Sequence, residues 1–343
     1  MMKQTYLAAL TLTLLSTHTF AVENGTPIDW RAQDTAARLD NKEKSQIAKC
    51  SGTLIAGRFV LTAAHCIYRC DNLDSVTSSN AAYTVNASQF IIHPDFNYND
   101  SATNGDVGLI ELNTQADYQQ VQFINTEEKT AGEAITVYGF GGNAKLNRAD
   151  FTFSHYHWAN PEDIYLNQTN QSHTVPGDSG SAWFNKNQEI IGIHQGSKID
   201  GDRLTYGPDI AATRIKNFIL EKVNGWHYPT LVTAKGKKTI TVQSLFVNDV
   251  SDMSWGDNVT ISGGTCLNGN IKPFSTCTYE IESDGTPGTL HLSNEAKITI
   301  NKAVTPDDDK KPKPDDGEKS SGGSFGFFSL LGLMGLALNR RRN

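Results

Sequence analysis

Apolar and polar positions alternate in short runs along this chain, the pattern of strands that bury one face. Thr53-Leu54-Ile55-Ala56-Gly57-Arg58-Phe59-Val60 reads as two short strands joined at Ala56-Gly57-Arg58. Thr239-Ile240-Thr241-Val242, Asn258-Val259-Thr260-Ile261, Thr278-Tyr279-Glu280-Ile281 and Lys297-Ile298-Thr299-Ile300 repeat the alternation, with Gly-rich turns between them. Residues 230–304 therefore predict a small antiparallel sandwich of immunoglobulin-like type. One segment changes period: Ile215, Phe218 and Ile219 fall on one face of a helix over Thr213–Leu220. Asn224-Gly225 and Pro229 punctuate the chain between helix and sandwich.

Two continuous apolar runs stand outside this scheme. Lys3, the run Leu7 to Leu15 and Thr19-Phe20-Ala21 give residues 1–21 the charged start, hydrophobic middle and small-residue end of a signal peptide. Signal peptidase would cut after Ala21 and expose Val22-Glu23-Asn24-Gly25. At the other end, residues 305–321 are rich in Pro, Asp and Lys and predict a solvated linker. Residues 322–343 follow with Gly322-Gly323, an apolar stretch Phe325 to Leu338 and Arg340-Arg341-Arg342. Fourteen apolar residues are short for a membrane span of about 20. The order of features resembles the GlyGly-CTERM tails of Gram-negative secreted proteins. That resemblance implies removal by a rhomboid-type sorting protease and an extracellular or surface-associated product.

Composition narrows the class. The chain has 343 residues, more than one compact domain usually holds, and 29 glycines with 9% aromatics suit a turn-rich β protein. A net charge of −7 argues against nucleic acid as a partner. An exported chain can keep disulfides. Of the five cysteines, Cys266 and Cys277 lie close enough in sequence to close a small loop.

The candidate chemistry centres on Thr174-Val175-Pro176-Gly177-Asp178-Ser179-Gly180-Ser181. Glycines on either side of Ser179 permit a tight turn that exposes its oxygen, and the amides of Gly177 and Ser179 could receive a developing oxyanion. A serine nucleophile needs a base, and the base needs a carboxylate to fix its tautomer. Leu61-Thr62-Ala63-Ala64-His65-Cys66 offers the base, and Asn104-Gly105-Asp106-Val107-Gly108-Leu109 the carboxylate. The order His65, Asp106, Ser179 is neither that of α/β-hydrolases nor that of subtilisins.

With Ile91-Ile92-His93-Pro94 added, these motifs make residues 22–225 resemble a chymotrypsin-fold, trypsin-like serine protease. The resemblance implies an all-β chain: two antiparallel six-stranded β-barrels with the triad between them, ahead of the small sandwich. It implies a serine endopeptidase acting on proteins or peptides, with His65 as base, Asp106 orienting it and Ser179 as nucleophile. It implies a Cys50–Cys66 disulfide holding the histidine loop, which leaves Cys70 over. It also implies an ion pair between the new α-ammonium of Val22 and Asp178. With no basic site between Ala21 and Val22, signal cleavage itself would complete maturation.

The pocket is legible by position. Where trypsins carry an aspartate, six residues before the nucleophile, this chain has His173. Thr174 and His194 resemble the placement in glutamyl endopeptidases, whose hydroxyl and imidazole bind an acidic side chain; Asp178 departs from the asparagine those enzymes carry. On that reading a protonated or donor-oriented His194 receives the acid, and Gln195, Gly196 and Ser197 offer an edge to the substrate backbone. Should basic residues be preferred instead, Asp200, Asp202 and Asp209 are the nearby carboxylates. His155 and His157 share a strand face but lack a third ligand, so no metal is expected, and the chemistry needs no cofactor. The competing class is a catalytically silent, protease-like adhesion protein that binds through its sandwich.

Overall fold

The computed structural model describes residues 22–40, 50–69, 73–98, 105–142, 144–200 and 202–303. The signal peptide, Cys70, the linker and the tail lie outside the described residues. The architecture is all-β, with the double β-barrel of the chymotrypsin fold followed by a further β domain.

The first barrel is a seven-stranded sheet ordered Ala82–Thr84, Ser75–Thr77, Ala36–Asp40, Cys50–Ile55, Phe59–Thr62, Gly108–Glu111, Phe90–Ile92. The expected hairpin is present with Ile55 opposite Phe59, and Ala56 and Gly57 take positive φ in its turn (48° and 78°). The second barrel is an eight-stranded sheet built on Ala134–Gly139, Asn147–Tyr156, Asp163–Gln168, Ala182–Phe184, Ile190–Ile193 and Asp202–Pro208. The edge strands Thr26–Pro27 and Gly196–Asp200 complete it. Short edge strands thus raise the counts above the six expected for each barrel. The helix runs Thr213–Val223 and stops at Asn224, which takes the left-handed conformation (φ 38°) that ends many helices. Its buried Ile215, Phe218 and Ile219 join the first barrel's core.

Two four-stranded sheets form the C-terminal domain. One is ordered Gly225–His227, Gly236–Leu245, Thr276–Ser283, Thr260–Gly263, and the other Leu231–Val232, Lys297–Ile300, Gly288–His291, Trp255–Asp257. Ile240, Val242, Tyr279 and Ile281 of the first pack with Leu290, Ile298 and Ile300 of the second in one core, beside the Cys266–Cys277 disulfide. Pairing starts at Gly225, upstream of residue 230 where the alternation becomes visible in sequence.

This domain is bonded into the protease rather than strung behind it. His227 is fully buried, accepts from Ala56 N at 3.0 Å and donates to Gln122 O at 3.0 Å. Thr230 Oγ1 accepts from Tyr118 N at 2.8 Å, and Gly57 N donates to the Tyr118 hydroxyl at 2.7 Å. A side chain at Gly57 would lie 2.5 Å from the Tyr228 hydroxyl, so the turn glycine makes room for the incoming domain. Residues 115–124, which these groups hold, belong to the segment that joins the two barrels.

Candidate active site

The first barrel supplies an imidazole and a carboxylate. His65 sits on the short helix Ala64–Ile67, tied down by the Cys50–Cys66 disulfide (Cα–Cα 6.1 Å). Asp106 lies just before the strand Gly108–Glu111 and is 1% exposed. Its Oδ1 accepts from the His65 amide at 2.8 Å and its Oδ2 lies 2.7 Å from His65 Nδ1. A carboxylate there places the ring proton on Nδ1 and leaves the Nε2 lone pair free. His93 holds the preceding loop: its amide donates to Val107 O at 3.1 Å, and Gly105 (φ 70°) passes so close that a Cβ would be 2.5 Å from the ring.

The second barrel supplies the hydroxyl. Gly177 (φ 106°) and Gly180 (φ 85°) flank Ser179, in backbone conformations that L side chains rarely adopt. A Cβ on Gly177 would sit 2.1 Å from Gly142 N, and one on Gly180 2.1 Å from Thr62 Oγ1. The first barrel stitches this loop in place, since Ser51 N donates to Ser179 O at 2.8 Å and Ser51 Oγ to Gly177 O at 2.9 Å. Cys66 Sγ lies 3.6 Å from the Ser179 carbonyl, which puts the serine beside the histidine helix. The Ser179 hydroxyl donates to Gln195 O at 3.4 Å, and among the described residues no hydrogen bond joins it to His65. Such bonds are often long without substrate and tighten in the complex. Neither the Gly177 nor the Ser179 amide has an acceptor among the described residues, so both can serve an oxyanion.

Asp178 turns inward and is fully buried. Its carboxylate accepts from Gly141 N (2.7 Å), Val175 N (2.8 Å) and the backbone N–H of Val22, itself fully buried at φ 41°. Burial pushes its pKa up to about 7 despite these three donors.

A cavity of about 450 Å³ opens beside Ser179. His173, Thr174, His194 and Gly196 line it, as does Ser197; Gln195 instead turns its carbonyl to the serine. Thr174 Oγ1 lies 2.5 Å from Ser197 Oγ, which lies 3.2 Å from Thr205 Oγ1, a chain of hydroxyls along one wall. Burial, and then the nearby His65, lower the His194 pKa to about 3. Of the two states expected for His194, protonated or donor-oriented, burial favours the second: a neutral ring able to donate one hydrogen bond. Asp209 is spent elsewhere, paired with the buried Lys129 and accepting from Ala211 N at the helix start. Glu23 also lines this cavity, which no motif announced. It does so through a bridge to His173, a long-range pairing that no local pattern encodes.

His155 and His157 both pack on the Tyr165 ring. The one metal-like cluster among the described residues is Cys50, His65 and Cys66, whose sulfurs are consumed in the disulfide.

The sequence model of the trypsin family matches residues 23–219, more than half of the chain. Similar solved structures include the VesB protease of Vibrio cholerae, at 14% identity over 80% of this chain and 98% of that one, with a TM-score of 0.49. The secreted serine protease VesC of Vibrio cholerae is similar at 15% identity over 80% and 70%, with a TM-score of 0.47. Neuropsin, a serine protease of mouse brain, is similar at 21% identity over 55% and 94%, with a TM-score of 0.46. No curated protein matched. The motifs around His65, Asp106 and Ser179 all fall inside the matched residues, and the chain belongs to the trypsin family of serine endopeptidases.

Proposed function

We propose that the protein is an exported endopeptidase with His65, Asp106 and Ser179 as its triad and a preference for acidic residues before the cleaved bond. The observation that carries the triad is the pair of hydrogen bonds from the His65 amide and ring to Asp106, beside a serine held between two positive-φ glycines. His65 Nε2 takes the Ser179 proton as the oxygen attacks the peptide carbonyl. The Gly177 and Ser179 amides take up the oxyanion, and the imidazolium then protonates the leaving amine. Water resolves the acyl-enzyme by the same path in reverse.

The acidic preference is supported by the donors of the cavity wall, Thr174, Ser197 and neutral His194. One hydroxyl proton is used between Thr174 and Ser197, so a carboxylate can accept from one of that pair and from His194, and a neutral replacement would leave these donors underused. Signal cleavage after Ala21 would turn the Val22 amide, already bonded to Asp178, into an ammonium; the pair would fix the Gly177 loop. Residues 322–343 act as a sorting signal, removed by a rhomboid-type protease. Intact mass of the secreted protein tests this: loss of Phe325 to Asn343 is expected, and recovery of all three arginines would make the tail a retained anchor.

Covalent labelling by a fluorophosphonate tests the enzyme itself. The account expects one label, on Ser179. An unlabelled, folded protein would support the silent adhesion protein instead.

A further inference from the structure

Resting on the reading of this cavity as the pocket for the side chain before the cleaved bond, we infer that Glu23 is a specificity-determining residue that weakens the pocket's acidic preference without reversing it. Glu23 lines the cavity together with Ser179. Its backbone is fixed by an antiparallel bridge to His173, with His173 N donating to Glu23 O at 3.0 Å. Its carboxylate Oε2 lies 3.3 Å from His173 Nε2, while His173 Nδ1 lies 3.0 Å from Gln171 O. Both ring nitrogens thus face acceptors, and the ring steadies the carboxylate.

No lysine or arginine is among the described residues lining the cavity, and His194 stays neutral. The wall carries a formal charge of −1, or of zero when His173 is protonated. Thr174 or Ser197 can still donate to an acidic side chain, but Glu23 opposes it. The carboxylate is 56% exposed, so solvent and salt weaken this repulsion without removing it. Glu23 also adjoins Val22, whose amide bonds Asp178, so the seating of this segment brings the carboxylate to the pocket.

The test compares full-chain wild type, Glu23→Gln and Glu23→Asp on three peptides that differ only in Glu, Gln or Lys before the cleaved bond. In Glu23→Gln the Glu:Gln ratio of kcat/KM should rise about tenfold and the Lys:Gln ratio should fall several-fold, both shrinking at high salt. Glu23→Asp, which keeps the charge, should stay near the wild-type ratios. Ratios within twofold of wild type in Glu23→Gln would overturn the role of Glu23 while leaving the pocket reading intact. Uniform loss of all three cleavages would also overturn it, assigning Glu23 to the seating of Val22 alone. Absolute preference is a separate readout: wild type cleaving only the Lys peptide would sink the acidic reading, and wild type cleaving none would sink the pocket assignment.

Discussion

Gln243 pairs its side-chain amide with the main chain of Ile124 as one strand pairs with another, accepting from Ile124 N at 2.9 Å and donating to Ile124 O at 2.7 Å. A third bond reaches Phe274 O at 2.9 Å. Ile124 is bridged in turn to Ile190 of the second barrel, while His227 reaches Ala56 of the first. The C-terminal domain therefore grips the segment between the barrels, and the two barrels carry different members of the proposed triad.

Replacing Gln243 by Ala strands the Ile124 amide and carbonyl in a buried place. The expected cost is about 3 kcal/mol, from roughly 1–3 kcal/mol per buried group left unpaired. Calorimetry should show barrels and sandwich unfolding in one transition that moves down in temperature. Two separate transitions, with the protease transition unmoved, would mean the domains are energetically independent.

Gly177→Ala tests the loop rather than the nucleophile. At φ 106°, with a Cβ 2.1 Å from Gly142 N, the backbone must shift and carry the Gly177 amide away from the oxyanion position. Loss of one such donor costs roughly 10²–10³ in kcat. A kcat within threefold of wild type, measured well below the unfolding temperature, would show that the amide is not used.

His227 gives a pH signature with a definite sign. Burial lowers its pKa from 6.5 to about 4, so the folded state binds fewer protons than the unfolded one in that interval. Its contribution to stability is present above pH 6.5 and is lost as pH falls toward 4, by about 3 kcal/mol. Denaturant unfolding at pH 7 and pH 4 should show this loss shrinking in His227→Gln relative to wild type. His194 acts in the same direction and Asp178 in the opposite one, so the comparison between variants is the informative quantity. An identical pH response in both proteins would contradict a buried, neutral His227.

Much of this was written locally. The hairpin at Ala56-Gly57, the strand Lys297–Ile300 and the helix from Thr213 follow from period and turn residues, because each buries one face against a nearby neighbour. The Gly-Asp-Ser-Gly turn is legible because only glycine fits where Gly142 and Thr62 approach. Other features needed tertiary structure. Glu23 enters the pocket through a pairing with a residue 150 positions away, and His194 loses its proton to a burial that its sequence neighbours do not announce. The early start of the sandwich at Gly225 was hidden because two successive residues are buried, Trp226 in the sandwich core and His227 against Ala56 and Gln122, and so show no alternation.

Ser179 is proposed as the nucleophile, activated by His65 and Asp106. The most direct measurement of that role is the kcat/KM of purified, correctly processed Ser179→Ala against wild type on a good peptide substrate. The account expects a loss of roughly 10⁴-fold or more, leaving only what binding and the oxyanion donors provide. Hydrolysis by the variant at a tenth of the wild-type rate would contradict it.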